Sequence, residues 1–213
     1  DWSCKFMTTS AIVSTSIPQA VGYSYALKYK NEKGTVVCFL GDGATEEGVF
    51  WESINFAALH KLPIIFICEN NKYAIYTNQS RRSAGDDISK KTQSFGIISS
   101  KISEDNAKKI FDLTQNIVSQ ISLEKNPYLL EIETHRWYDH VGIGTSDEYD
   151  YRDKNEIKLA KENDYLKYLK KTLKPDIAKK IELQVKEEIN EAIDFAECSE
   201  FPNQKELLDH VYG

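Results

Sequence analysis

Two continuous apolar runs, Thr35-Val-Val-Cys-Phe-Leu40 and Pro63-Ile-Ile-Phe-Ile-Cys68, constrain this chain more than anything else in it. Side chains that are apolar without alternation are what a strand covered on both faces requires. Between the runs, from about Glu46 to His60, Val49, Ile54, Ala57 and Leu59 are among the apolar positions of an expected helix. Strand, helix, strand is a βαβ unit, whose crossover is expected to be right-handed. Each run ends at polar turn formers, the first at Gly41-Asp-Gly43 and the second at Glu69-Asn-Asn71.

The rest of the chain extends that pattern. Ile17 to Lys30 reads as a helix with Pro18 in its first turn, where a missing N–H costs nothing, and Lys33-Gly34 ends it. A polar loop is expected from Lys72 to about Asp87, an amphipathic helix from Ala107 to Ile121, and a third strand over Tyr128 to Thr134. A loop poor in apolar residues, His135 to Arg152, follows. From Asn155 onward the chain reads as helical and charged. There Ile177, Ile181, Val185, Ile189 and Ile193 form one apolar stripe, expected to pack on the parent domain or on a partner chain. The expected fold is α/β: a doubly wound, mostly parallel sheet over residues 1–152, with a C-terminal helical extension over 153–213. In such sheets ligands sit at the carboxyl ends of the strands. Gly41–Gly43, Asn70–Asn71 and His135–His140 all lie just past strand ends.

Composition narrows the partners. A net charge of -6, with basic residues scattered, argues against nucleic acid. The apolar runs are too short to span a bilayer. Cys4, Cys38, Cys68 and Cys198 lack metal or redox spacing. Cys38 and Cys68 read as buried thiols of a reducing cytosol, so a cytoplasmic location is expected. The chain starts at Asp1 with residues that already read as folded, so it is expected to begin part-way through a longer protein.

The segment Gly41-Asp-Gly-Ala-Thr-Glu-Glu-Gly48 joins a buried strand to a helix. Its glycines let the backbone turn and approach a ligand, and the helix offers free N–H groups to an anion. A dinucleotide site would want a third glycine where Glu46 stands, and no P-loop motif is present. A metal-bridged diphosphate fits better, because Asp42 can ligate the cation. Alone, the triplet is also an ordinary turn. Asn71 lies 29 residues after Asp42, one crossover later. A carboxylate and an amide from adjacent strand ends can then share one magnesium ion.

Here the residues carry a resemblance. Gly41-Asp-Gly-Ala-Thr-Glu-Glu-Gly-Val-Phe-Trp-Glu-Ser-Ile-Asn-Phe-Ala-Ala-Leu-His-Lys-Leu-Pro63, then Phe66-Ile-Cys-Glu-Asn-Asn-Lys-Tyr-Ala74, resembles the alpha subunits of thiamine diphosphate-dependent 2-oxo acid dehydrogenases. It extends back through Ile12-Val13 and Ile17-Pro18, and forward through Asn126 to Glu131 and Thr134-His-Arg136 to Tyr151-Arg152. The resemblance implies that Asp42, Asn71 and the main-chain carbonyl of Tyr73 hold Mg2+, and that Gly43 and Ala44 hold the diphosphate. It implies that the main chain of Ala11-Ile12-Val13 meets the aminopyrimidine, with Ala11 standing where the family has glycine. It places His140 beside cofactor and substrate as the catalytic residue. Tyr138 and Asp139 replace a second family histidine, and Val141 replaces a serine that is phosphorylated in mitochondrial members.

The activity so implied is oxidative decarboxylation of a 2-oxo acid with acyl transfer to a lipoyl carrier on an acyltransferase. A beta subunit, in an alpha2-beta2 assembly, would supply the glutamate that activates the cofactor, so the chain alone is expected to be inactive. The altered loop Arg136–Gly142 keeps a second thiamine-dependent chemistry open: a lyase or ketol transferase, transketolase-like, including one in sugar modification. A non-catalytic scaffold relative predicts no cofactor binding, yet Asp42 and Asn71 are both present. A Rossmann oxidoreductase is disfavoured by Glu46. Glu46 and Glu47 are expected to compensate charge at the following helix N-terminus.

Overall fold

Both apolar runs become strands in the computed structural model, which describes residues 2–85, 87–103, 106–124, 126–142, 144–145 and 151–209. His210, assigned no role by the sequence, lies outside them, as does part of the loop expected between His135 and Arg152. The chain forms two compact units, Asp1–Asp164 and Tyr165–Gly213.

The first unit begins with α1 (Ser16–Tyr29), β1 (Val36–Gly41), α2 (Gly48–Leu59) and β2 (Ile64–Asn70). A short hairpin follows, β3 (Tyr73–Ala74) and β4 (Thr77–Asn78), then α3 (Ile88–Gln93), β5 (Ile98–Ile102), α4 (Ala107–Glu124), β6 (Tyr128–Glu133) and α5 (Lys154–Glu162). The four long strands form one sheet of order β1-β2-β6-β5, and every pairing in it is parallel. Helices lie on both faces. On one, Ile17 and Val21 of α1 and Phe50, Ile54 and Ala57 of α2 pack with Cys38, Leu40, Phe66 and Cys68. On the other, Ile117 and Ile121 of α4 pack with Ile65, Ile67, Leu130 and Ile132. Fully burying each of the Ile, Leu, Val and Phe side chains among them contributes roughly 1.5–3 kcal/mol.

Three readings of the sequence change. β1 is not covered on both faces: Cys38 and Leu40 are buried while Val37 and Phe39 are exposed. It is an edge strand, and α4 packs over β2 and β6 rather than over β1. The polar loop from Lys72 contains the β3–β4 hairpin and leads into α3, and β5 follows where no strand was expected. The helical region expected from 153 divides, because α5 belongs to the first unit.

The second unit holds α6 (Tyr165–Thr172) and α7 (Pro175–Cys198), with Pro175 at the helix start. The expected stripe lies on α7, where Ile177, Ile181, Val185, Ile189 and Ile193 are each about half exposed. No helix among the described residues is long and apolar enough to cross a membrane.

Candidate functional site

Register brings the two motifs to one edge. Gly41, the last residue of β1, pairs with Glu69, and β2 runs one residue further, to Asn70. Asp42 and Asn71 therefore leave adjacent parallel strands, whose spacing is about 4.8 Å, at the same end of the sheet.

Asp42 opens a tight 3-10 turn, Asp42–Glu46, closed by the Thr45 hydroxyl donating to the Asp42 carbonyl at 2.7 Å. Its side chain is 1% exposed. Arg82 donates to Oδ2 at 2.6 Å, while Oδ1 is buried with no hydrogen-bond partner. A buried carboxylate oxygen without a donor is costly, so this atom is the site's clearest chemical signal. Gly43 is required by close approach: a Cβ there would stand 3.0 Å from the Ala74 Cβ, so any side chain would push the hairpin away. Glu46 does not serve the α2 N-terminus as expected. It ends the 3-10 turn and pairs with Arg82, and α2 starts at Gly48.

The upstream segment is tied to the same turn. Ser14, buried and at a left-handed φ of 66°, donates from its hydroxyl to the Ala44 carbonyl at 2.7 Å. Ala11, Ile12 and Val13, just before it, are exposed. The segment ending at Val13 is thus anchored to the turn through Ser14, a residue to which the sequence gave no role.

The two asparagines differ. Asn70 is 1% exposed and donates to Glu131 Oε1 at 2.8 Å and Gln79 Oε1 at 3.3 Å, while its Oδ1 accepts from the Lys72 N–H at 2.9 Å. Asn71 is only partly buried, and its Oδ1 accepts a longer bond, 3.2 Å, from the Tyr73 N–H. One lone pair of that amide oxygen stays available. The left-handed Lys72, φ 68°, turns the chain between Asn71 and Tyr73. Arg152 donates to the Asn71 carbonyl at 3.4 Å and lies over the Tyr73 ring at 4.2 Å, and the Tyr73 hydroxyl donates to Glu156 Oε2 at 3.1 Å. Burial raises the Tyr73 phenol above its usual 10.0, and the Glu156 carboxylate adds to the shift.

His140 is exposed on the loop after β6. Arg136 joins that loop to the hairpin, donating to the Ile75 carbonyl at 2.7 Å, and it stands 3.4 Å from His140 Nδ1. Asp139 beside it is buried and accepts from the Tyr151 hydroxyl at 3.5 Å. Beneath the edge, Glu131 is wholly buried. It takes the Ser89 N–H at 2.8 Å and pairs with Lys101 at 3.4 Å, so one carboxylate joins β2, β5, β6 and α3. Burial, then the charges of Glu131, Asp42 and Glu69, push the Cys68 thiol well above 9.0, and burial raises Cys38 to about 11. Both are inert thiols, and all four cysteines are free.

Gly43 of the turn thus approaches Ala74 of the hairpin, the neighbour of Tyr73, and Asn71 lies two residues before Tyr73. The oxygens that the resemblance names for a cation are one carboxylate, one amide and one carbonyl. Among the described residues no group of three or more His, Cys, Asp or Glu could hold a metal. Hard oxygen donors of this kind would suit magnesium shared with phosphates rather than zinc.

Comparison with known proteins gives a consistent picture. Residues 2–205 match the family described as dehydrogenase E1 component. Among curated relatives, the pyruvate dehydrogenase E1 component subunit alpha of Rickettsia bellii is 33% identical over 215 residues, covering 98% of this chain and 65% of that protein. The mitochondrial 2-oxoisovalerate dehydrogenase subunit alpha of Homo sapiens is 33% identical over 220 residues, covering 99% of this chain and 49% of that protein. The chain therefore spans about half to two thirds of the length of these relatives. Among solved structures, transketolase from Campylobacter jejuni superposes with a TM-score of 0.52 at 21% identity, covering 59% of this chain and 20% of that one, a likeness of fold.

Proposed function

This chain belongs to the dehydrogenase E1 component family, and from that premise we propose that it is the diphosphate-gripping part of a thiamine diphosphate-dependent 2-oxo acid dehydrogenase alpha subunit. The observation that carries the reading is Asp42 Oδ1, buried and without a donor at the carboxyl end of β1. Magnesium takes six oxygens and keeps company with phosphates. Asp42 Oδ1, the Asn71 side-chain oxygen and the Tyr73 main-chain carbonyl are the donors this chain would offer it. Gly43 and Ala44 would turn main-chain N–H groups to the diphosphate, and the main chain from Ala11 to Val13 would meet the aminopyrimidine.

When bound, thiamine diphosphate supplies a carbon nucleophile and an electron sink for decarboxylating a 2-oxo acid. The protein's task is to orient that group and to exclude water from it. Arg136 stands 3.4 Å from His140 Nδ1 and can donate to it, which would leave Nε2 to face a substrate. In this reading a beta subunit supplies the activating glutamate in an alpha2-beta2 assembly. The acyl product passes to a lipoyl carrier on an acyltransferase, and the assembly works in the cytoplasm. The names of the Rickettsia and human relatives support a 2-oxo acid as substrate.

Titration calorimetry on the chain with its co-purified partner tests this. Thiamine diphosphate is expected to bind only with magnesium present, and Asp42→Ala is expected to weaken binding at least about 100-fold, the range for losing a charged ligand contact. Equal binding with and without magnesium refutes the reading.

A further inference from the structure

Arg82 was not among the residues singled out in the sequence, yet it touches the site's key carboxylate. All three of its guanidinium nitrogens are engaged. Nε donates to the Thr77 carbonyl at 2.8 Å, Nη1 pairs with Glu46, and Nη2 donates to Asp42 Oδ2 at 2.6 Å. Its side chain is only 9% exposed. A long side chain held at three points and buried is a fixed part of the site rather than a counter-ion that drifts. The consequence falls on Asp42: one oxygen is taken, and the other is left bare.

Resting on the proposal that Asp42 ligates the cofactor's metal, we infer that Arg82 is a positioning residue that sets metal specificity by engaging Oδ2. An oxygen that already accepts a short bond from a cationic guanidinium is a weaker metal donor than a bare one, so Asp42 is set to bind a cation through Oδ1 alone. That suits magnesium, which demands a near-ideal octahedron at about 2.0–2.1 Å, with one oxygen at each corner. Calcium is larger, accepts six to eight oxygens at about 2.3–2.6 Å, and gains from carboxylates that bind through both. Arg82 weakens that second oxygen as a donor and so disfavours calcium. Fixing the orientation of a ligating carboxylate through its other atom is a known way to tune a metal site. The positive charge of Arg82 also repels any cation, but magnesium and calcium carry the same charge. The repulsion therefore largely cancels in the ratio of their affinities, while the geometric effect remains.

The test is that ratio, measured by calorimetry as magnesium chloride or calcium chloride is titrated into the full chain, in its purified assembly, at saturating thiamine diphosphate. Arg82→Met is expected to lower the magnesium-to-calcium affinity ratio about tenfold, roughly 1.4 kcal/mol, whichever way each affinity moves. Arg82→Lys keeps a donor for Oδ2 and is expected to hold the ratio within about threefold of the parent, roughly 0.7 kcal/mol. Glu46→Ala removes one of the three anchors at an exposed position and is expected to lower the ratio by a smaller factor. It decides the matter should Arg82→Met not fold, as read by circular dichroism. A merely structural role for Arg82 would change thermal stability and leave the ratio untouched, and that result overturns the inference. Asp42→Ala separates the two claims. If it keeps metal-dependent binding, the ligand assignment falls. If it loses binding while Arg82→Met and Glu46→Ala keep the parental ratio, only the role of Arg82 falls.

Discussion

At the scale of the residue, two adjacent asparagines have been given separate tasks by the direction in which each leaves the strand end. Asn70 faces inward and holds Glu131, Gln79 and the Lys72 N–H together. Asn71 accepts the Tyr73 N–H through its Oδ1 and keeps acceptor capacity there. Asn70→Ala is expected to cost about 2–3 kcal/mol in urea unfolding, because it takes a donor from a buried carboxylate. Asn71→Ala is expected to cost under about 1 kcal/mol, the net value of one partly exposed hydrogen bond, and to remove magnesium-dependent binding of thiamine diphosphate. The reverse pattern would show that the wrong asparagine has been assigned to the metal. The pair was legible in the sequence because strand-helix-strand spacing sets where a second strand ends. The task of Asn70 was not, because Glu131 lies 61 positions away and only strand order brings the two together. Ser14 and Arg82 were missed for the same reason: their partners Ala44 and Asp42 lie 30 and 40 positions off.

At the scale of the element, legibility followed burial. β2 and β6 are buried almost throughout, which demands continuous apolar residues, and both were found within two residues of their ends. β5 reads Ile-Ser-Ser-Lys-Ile and is nowhere fully buried, so it carries neither an apolar run nor a strict alternation. Polar contacts to its neighbour hold it instead: Ser100 with the Tyr128 hydroxyl at 2.5 Å, and Lys101 with Glu131 and Glu133. The short helix α3 was hidden too, because its signals are local and polar. Asp87 caps it by accepting the Lys90 N–H, and its Ser89 N–H ends on Glu131. Glu131 is therefore the post on which α3, β2 and β5 converge. Glu131→Ala is expected to destabilise the chain by about 3 kcal/mol or more, since it leaves a partly buried lysine and two buried donors without their acceptor. Equilibrium urea unfolding measures it. A loss below about 1 kcal/mol, the level of an exposed pair, would mean that α3 and β5 are held by packing instead.

At the scale of the whole molecule, the same polar seam gives stability a pH profile. Asp87 is held below its usual 3.8, first by the Lys90 N–H it accepts. Burial pushes the Glu133 carboxyl up, but hydrogen bonding to Lys101 and the charges of Lys72 and Lys101 outweigh it, and its pKa lies below 4.5. For both groups the unfolded chain binds protons at a higher pH than the folded one. Their contribution is therefore complete above the unfolded values and is lost as pH falls through the folded ones. Lys101 has the opposite sign. Burial lowers it, Glu133 and Glu131 raise it more, and its pKa ends above 10.5. Its contribution is complete below 10.5 and fades only as pH rises through the folded value. Stability should thus be flat across neutrality and fall on the acid side, starting near the unfolded carboxylate values. Urea unfolding from about pH 6 to about pH 3 should show the decline, and Glu133→Gln should make it shallower while lowering the neutral plateau. The charge effect of Lys72 on Glu133 acts across a partly exposed pair 3.5 Å apart, so salt should weaken it. An acid limb of equal steepness in the parent and in Glu133→Gln would exclude Glu133, and leave the fall to carboxylates outside the seam.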